Sequence, residues 1–152
     1  MTAKKELRVS AIQHGTVIDH IPANKLFKVI SILKLDRCKN LITFGTNLGS
    51  NRFGKKAIVK VADKFFDEKD LNKIALVAPE ARFNVIKDYD VVEKREVELP
   101  NEIVGIAKCF NPKCITNTEA MATKFSLVVS KEIALKCHYC EKITTKEHLV
   151  IL

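Results

Sequence analysis

The 152-residue sequence has no long hydrophobic run. Its apolar stretches last a handful of residues, far short of the roughly 20 that a membrane-spanning helix needs, so no membrane association is expected. No apolar segment follows Met1-Thr2-Ala3-Lys4-Lys5-Glu6, which leads straight into Leu7-Arg8-Val9, so a secretory signal is not expected either. A cytoplasmic chain with reduced thiols is the expectation. Internal repeats and low-complexity tracts are absent. Arginine is scarce: Arg8, Arg37, Arg52, Arg82 and Arg95 form no stripe, which weighs against a nucleic-acid surface. No Ser–His–Asp set, paired acids or open metal site supports an enzyme. The five cysteines are an odd number, which argues against a pure disulfide scaffold and for metal or free-thiol chemistry.

What is present suits a folded chain of one ordinary domain or two small ones, with 47% hydrophobic and 29% charged residues. The net charge of +8 and pI near 9.3 favour an anionic partner. Residues 1–100 carry +6 and residues 101–152 carry +2, whereas four of the five cysteines lie in the second stretch. The polar segment Glu96-Val97-Glu98-Leu99-Pro100-Asn101 marks the expected boundary between domains 1–100 and 101–152.

The first part reads as strands alternating with helices. Leu7, Val9 and Ala11 alternate with polar residues as a half-buried strand, and His14-Gly15 supplies a turn. Lys25 to Leu33 is helical, with Leu26, Phe27, Ile30 and Leu33 on one face and Asn24 as a possible cap. Leu41 to Phe44 is a strand, Asn47 to Asn51 a loop, and Lys56 to Val61 a strand with Ala57, Val59 and Val61 on one face. Asp67 is an N-cap with Asp70 three residues on. Leu71, Ile74, Ala75 and Ala78 form the next apolar stripe, which Pro79 stops. Ala81–Ile86 and Asp90–Lys94 are extended. The order predicts an α+β fold: a split βαβ (ferredoxin-like) antiparallel sheet with two helices on one face. The other face is left to solvent, a partner subunit or a ligand.

The second part offers short strands only: Ile103–Ala107, Phe125–Val129, Ile133–Lys136 and His148–Ile151. An all-β unit of this size needs a staple. Cys109 and Cys114 are separated by four residues, Cys137 and Cys140 by two, and the pairs by 22. Two cysteine pairs on tight turns predict one structural zinc held by four thiolates, with no position open for catalysis. Two disulfides suit a reducing compartment poorly, and iron–sulfur ligation usually shows other spacings. His138 lies inside the second pair, and Cys38 stands apart as a surface or partly buried thiol.

Three segments carry a family resemblance. Gly15-Thr16-Val17-Ile18-Asp19-His20-Ile21-Pro22-Ala23 resembles the signature of the aspartate carbamoyltransferase regulatory chain. The segment running from Asn84 through Ile86, Tyr89, Val91 and Val92 to Lys94 resembles that family's second ligand segment, and Leu135-Lys136-Cys137-His138-Tyr139-Cys140-Glu141 its last zinc knuckle. The resemblance implies a non-catalytic allosteric subunit that binds CTP, UTP or ATP through its N-terminal domain. It implies regulatory-chain homodimers whose zinc domains dock on catalytic chains, in an assembly of two catalytic trimers and three regulatory dimers. It places the base against Ala11, Ile12, Ile86, Tyr89 and Val91, and ribose and phosphates near Val17, Asp19, His20, Lys56, Lys60, Asn84 and Lys94. Cys109, Cys114, Cys137 and Cys140 become the zinc ligands. The sequence departs from the family pattern at Phe110 and Lys113 in the first knuckle and at Glu93 beside Lys94. A basic zinc-ribbon protein binding nucleic acid is the alternative reading of the same charge and cysteines.

Overall fold

The computed structural model describes residues 11–50, 54–129 and 132–152. Five strands form the first sheet: β1 (Gly15–Pro22), β2 (Ile42–Ser50), β3 (Gly54–Ala62), β4 (Arg82–Lys87) and β5 (Asp90–Glu96). Their order is β2-β3-β1-β4-β5, with every pairing antiparallel. Helix α1 (Leu26–Ile32) joins β1 to β2, and α2 (Glu68–Ala75) joins β3 to β4. The β1-α1-β2-β3-α2-β4 part is the split βαβ arrangement, and β5 extends it at one edge.

Alternation along the strands decides which face the helices cover. Ile18, Ala57, Val59, Val61 and Phe83 point to one side and are buried with Leu26 and Val29 of α1 and Leu71, Ile74 and Ala75 of α2. Helix α2 starts on a reciprocal cap. The Asp67 carboxylate accepts the Asp70 N–H at 3.0 Å, and the Asp70 carboxylate accepts the Asp67 N–H at 3.4 Å.

Several expectations need correction. Leu7 to Ser10 lie outside the described residues, and Ala11 is not in a strand. The first described strand, β1, begins at Gly15, where a turn was expected. Phe27 does not share the buried face of α1: it is 68% exposed and stacks edge-on with Phe44 at 6.1 Å, while Val29 takes the core position. Asn24 makes no cap, because the helix is entered through a 3-10 turn, Ala23–Lys25, without a side-chain cap. Asn47–Ser50 continue β2 beyond an irregularity in its pairing with β3.

The second part folds around β6 (Glu102–Val104), β7 (Ala107–Lys108), a single helical turn α3 (Ile115–Thr118), β8 (Lys124–Val129), β9 (Ile133–Cys137), β10 (Ile143–Thr145) and β11 (Val150–Ile151). The order β10-β9-β8-β6 makes one sheet, and β11 pairs with β7. The strand expected over Ile103–Ala107 is broken at Gly105, which adopts φ +67°. The strand expected from His148 starts only at Val150, after a 3-10 turn over Lys146–His148. The buried Thr16, Thr123 and Thr144 all bond: Thr16 donates to Lys64 O, Thr123 to Ala107 O, and Thr144 accepts from Phe110 N–H. Leu76, just past α2, lies in the core of the second part, and Leu99, Leu149 and Ile151 pack against both cores.

Gly15 of β1 lies close against the backbone at the end of β3. Its φ is +139°, and a Cβ there would clash with Val61 O. Gly15→Ala should therefore destabilise the chain by about 1–3 kcal/mol, read as a lower urea midpoint at unchanged slope. An unchanged midpoint would show that the strand can move away.

Candidate ligand cavity and metal centre

Among the described residues, no helix covers the opposite face of the first sheet. Register places Thr43, Lys60, Val17, Asn84 and Lys94 directly opposite one another across all five strands. Residues two positions along share that face, which adds Lys56, Ile58, Asp19 and Ile86. A cavity of about 210 Å³ opens here, lined by Ala11, Ile12, Val17, Ile58, Lys60, Asn84, Ile86, Tyr89 and Val91. All but Ile58 are residues the resemblance singles out. Asp19, His20, Lys56 and Lys94 are not part of the lining. Ala11 and Ile12, expected on a strand, reach the cavity from irregular chain.

Asp19 and His20 sit where the pairing of β1 with β3 shifts register, and His20 has φ +60°. Such bulges re-aim side chains. The Asp19 carboxylate accepts the His20 N–H at 2.6 Å and lies 3.0 Å from Lys56 Nζ. Burial pulls the Lys60 ammonium below its ordinary pKa, and the Asp19 charge opposes that shift. A partly desolvated cation beside an apolar cavity favours an anionic ligand.

The metal centre is built by two loops. Cys109 follows β7, and Cys114 precedes α3. Cys137 ends β9, and Cys140 lies in the β9–β10 turn, where Cys137 O accepts the Glu141 N–H at 3.0 Å. Asn117 Nδ2 donates to Cys109 O at 2.9 Å and to Asn111 O at 2.7 Å, fixing the first loop. The four sulfurs lie within 4.8 Å of one another, with Cys109–Cys140 at 3.6 Å and Cys114–Cys137 at 3.7 Å. Metal–sulfur bonds of about 2.3 Å in a tetrahedron put sulfurs about 3.8 Å apart, whereas a disulfide needs about 2.05 Å. The residues therefore fit a tetrahedral four-thiolate ion.

The thiols pull in opposite directions. Burial pushes Cys109 up to about 12 and also raises Cys137. Burial also opposes ionisation of Cys114, but the Thr116 hydroxyl at 3.2 Å, the Thr116 N–H and neighbouring thiols bring it down to about 7. Cys140 is lowered against its burial by the Lys142 N–H and the Asn111 side chain. A bound cation would ionise all four. His138 is not in the cluster and stands edge-on to Tyr139, while Cys38 exchanges hydrogen bonds with Asn40. Ile58, Thr116 and Asn117 carry no local signal in the sequence; only the paired strands and folded loops bring them to the sites.

Fold and sites together define a two-part binding chain: a split βαβ unit with a lysine-edged cavity, joined to a small metal-binding β unit. Comparison with known proteins divides the chain similarly. The family described as aspartate carbamoyltransferase regulatory chain, allosteric domain, matches residues 7–98, and the metal binding domain of that chain matches residues 101–150. The regulatory chain of Parabacteroides distasonis is 51% identical over 148 residues, covering 97% of this chain and 96% of the relative. That of Thermococcus sibiricus is 52% identical over 147 residues, covering 97% of each. The chain belongs to the aspartate carbamoyltransferase regulatory chain family, a non-catalytic subunit.

Because metal displaces thiol protons, uptake should release protons and weaken as pH falls. Protons from Cys109 and Cys137 should be displaced even above neutrality, with the steepest loss below about 7, where Cys114 also gains its proton. Calorimetric titration of the metal-free chain with Zn²⁺ in buffers of different ionisation enthalpy would measure that release. Uptake independent of pH and buffer would contradict thiolate ligation.

Proposed function

We propose that the chain binds a nucleoside triphosphate on the helix-free sheet face and thereby biases the conformation of a catalytic partner docked on its metal-binding unit. The observation that carries this reading is the row Lys60–Val17–Asn84–Lys94 beside the cavity. At about 210 Å³ the cavity is smaller than the roughly 300–1,000 Å³ of a whole ligand pocket. It therefore takes the base, walled by Ile12, Ile86, Tyr89 and Val91. Lys60, Lys94 and Lys56 are point charges for the phosphates, and Asp19 and His20 lie toward the ribose. Residues 1–100 form the nucleotide domain and residues 101–152 the docking domain.

The metal is zinc: its tetrahedral preference and lack of redox chemistry suit a closed four-cysteine site, and a reducing cytoplasm keeps the cysteines as thiols. Cys109, Cys114, Cys137 and Cys140 hold it, and it supplies folding free energy rather than catalysis. Docking uses Phe110, Ile115, Tyr139 and Ile143, large apolar side chains exposed on and around the metal loops. Lys113 lies in the first of those loops. A regulatory homodimer forms along β2, the edge of the sheet, where Leu41 is 72% exposed beside the Phe27–Phe44 pair. Joined to catalytic trimers, three such dimers give the expected assembly. Occupancy of the cavity reaches the docking unit through Leu76, Leu99, Leu149 and Ile151. The nucleotide shifts the partner's equilibrium only by its differential affinity for two states, typically about 1–3 kcal/mol.

Lys60→Ala should weaken CTP and ATP binding by about tenfold or more while leaving the unfolding midpoint nearly unchanged. Unaltered affinity would remove the phosphate role. Co-expression with the catalytic chain of the same organism, followed by mass measurement, tests the assembly. A large complex responding to CTP or ATP is expected, and it should release catalytic trimers when a mercurial strips the cysteines. Survival of the complex after complete zinc loss would overturn the docking reading.

A further inference from the structure

We propose that His14 is a positioning residue of the cavity: its ring holds the Asp88–Tyr89 turn in the conformation that sets Tyr89 against the ligand. The proposal rests on the nucleotide reading above and adds a residue which that reading does not use.

Strands β4 and β5 are joined by Asp88-Tyr89, and both residues adopt left-handed backbone, with φ +50° and +68°. Two-residue hairpin turns of this kind favour Asn-Gly or Gly-rich pairs, because a Cβ is disfavoured there. Neither turn residue here is glycine. Such conformations persist when the surroundings hold them.

The holding contacts come from Gln13 and His14. Tyr89 N–H donates to Gln13 O at 2.9 Å, and Asp88 N–H donates to His14 Nδ1 at 3.3 Å. Acceptance at Nδ1 leaves the neutral ring's proton on Nε2, which faces the Asp88 carboxylate at 3.7 Å. His14 is itself fixed at its base. Its carbonyl accepts the Asp63 N–H at 2.9 Å, and the next residue is Gly15, pressed against Val61 O. One residue thus spans from the end of β3, through its carbonyl, to the turn, through its ring. Ala11 and Ile12, just before it in sequence, line the same cavity as Tyr89. His14 therefore ties together two walls that come from distant parts of the chain.

Tyr89 is 64% exposed, so packing alone does not fix it. Without the ring, the turn samples other conformations and the ligand must supply the ordering, which lowers affinity.

The test is calorimetric titration of the zinc-loaded full chain with CTP, comparing wild type, His14→Ala and His14→Asn. The asparagine oxygen can accept the Asp88 N–H as Nδ1 does. His14→Ala should bind CTP about 3–10-fold more weakly, and His14→Asn should return to within about twofold of wild type. In the ligand-free chain, the Asp88 and Tyr89 amides should exchange faster in His14→Ala than in wild type. Equal affinity of wild type and His14→Ala, failure of His14→Asn to recover, or equal amide exchange would each overturn the proposal while leaving the nucleotide reading intact. A wild-type chain that binds no CTP would overturn both.

Discussion

The ligand face depends on one constraint: an antiparallel sheet alternates its side chains, and both helices lie on the same side of it. In β3, Ala57, Val59 and Val61 are buried under the helices, so Lys56, Ile58 and Lys60 must point the other way. A slip of one residue would drive two lysines into the core and expose two valines. The register that stabilises the core is therefore the register that aims the cations. It also aligns Lys60, Val17, Asn84 and Lys94, which come from four different strands. The one interruption in β1, at Asp19–His20, turns those residues without loss of the core, because Ile21 returns to it opposite Ala57.

The second unit obeys a different constraint. Its core contains Cys109, Cys114 and Cys137, so the metal ligands are themselves core residues. With two thiols pushed up by burial and two held down by hydrogen bonds, the cluster lacks the positive charge that would let all four ionise together. A bound divalent cation would resolve that conflict and close two loops at once, as expected where apolar burial is small. The unit is not independent of the first, since Leu76 is seated in its core at the end of α2.

What was legible in the sequence was whatever had a period or a fixed spacing: the alternation of β3, the Asp67–Asp70 cap and the two cysteine pairs. Strand β1 shows no alternation in the sequence, because Val17 faces the cavity while Ile18 faces the core, and the bulge at Asp19–His20 delays the next core residue to Ile21. The glycines and Asn47 of β2 look like a loop, yet pairing with β3 overrides their weak strand preference. Phe27 seemed a core residue by type, but the buried arc of so short a helix is filled by Leu26 and Val29. The cavity had no local signature. Its residues lie far apart in sequence and converge only through register, so the resemblance to a family could name them when their own patterning could not. His14 had neither a pattern nor a family motif to mark it, and only the turn across from it gives its ring a role.

The charge asymmetry follows from the same division. Four thiolates and one divalent ion would take the second stretch from +2 to about zero and leave the excess of +6 in residues 1–100. Part of that excess is fixed on one sheet face, where Lys60 is partly desolvated and Lys56 is held by Asp19. A polyanion that needed only net positive charge could settle anywhere on such a chain. An apolar cavity beside a short row of lysines would instead favour a ligand with a flat ring at one end and a compact anionic group at the other, which is the property the nucleotide proposal uses.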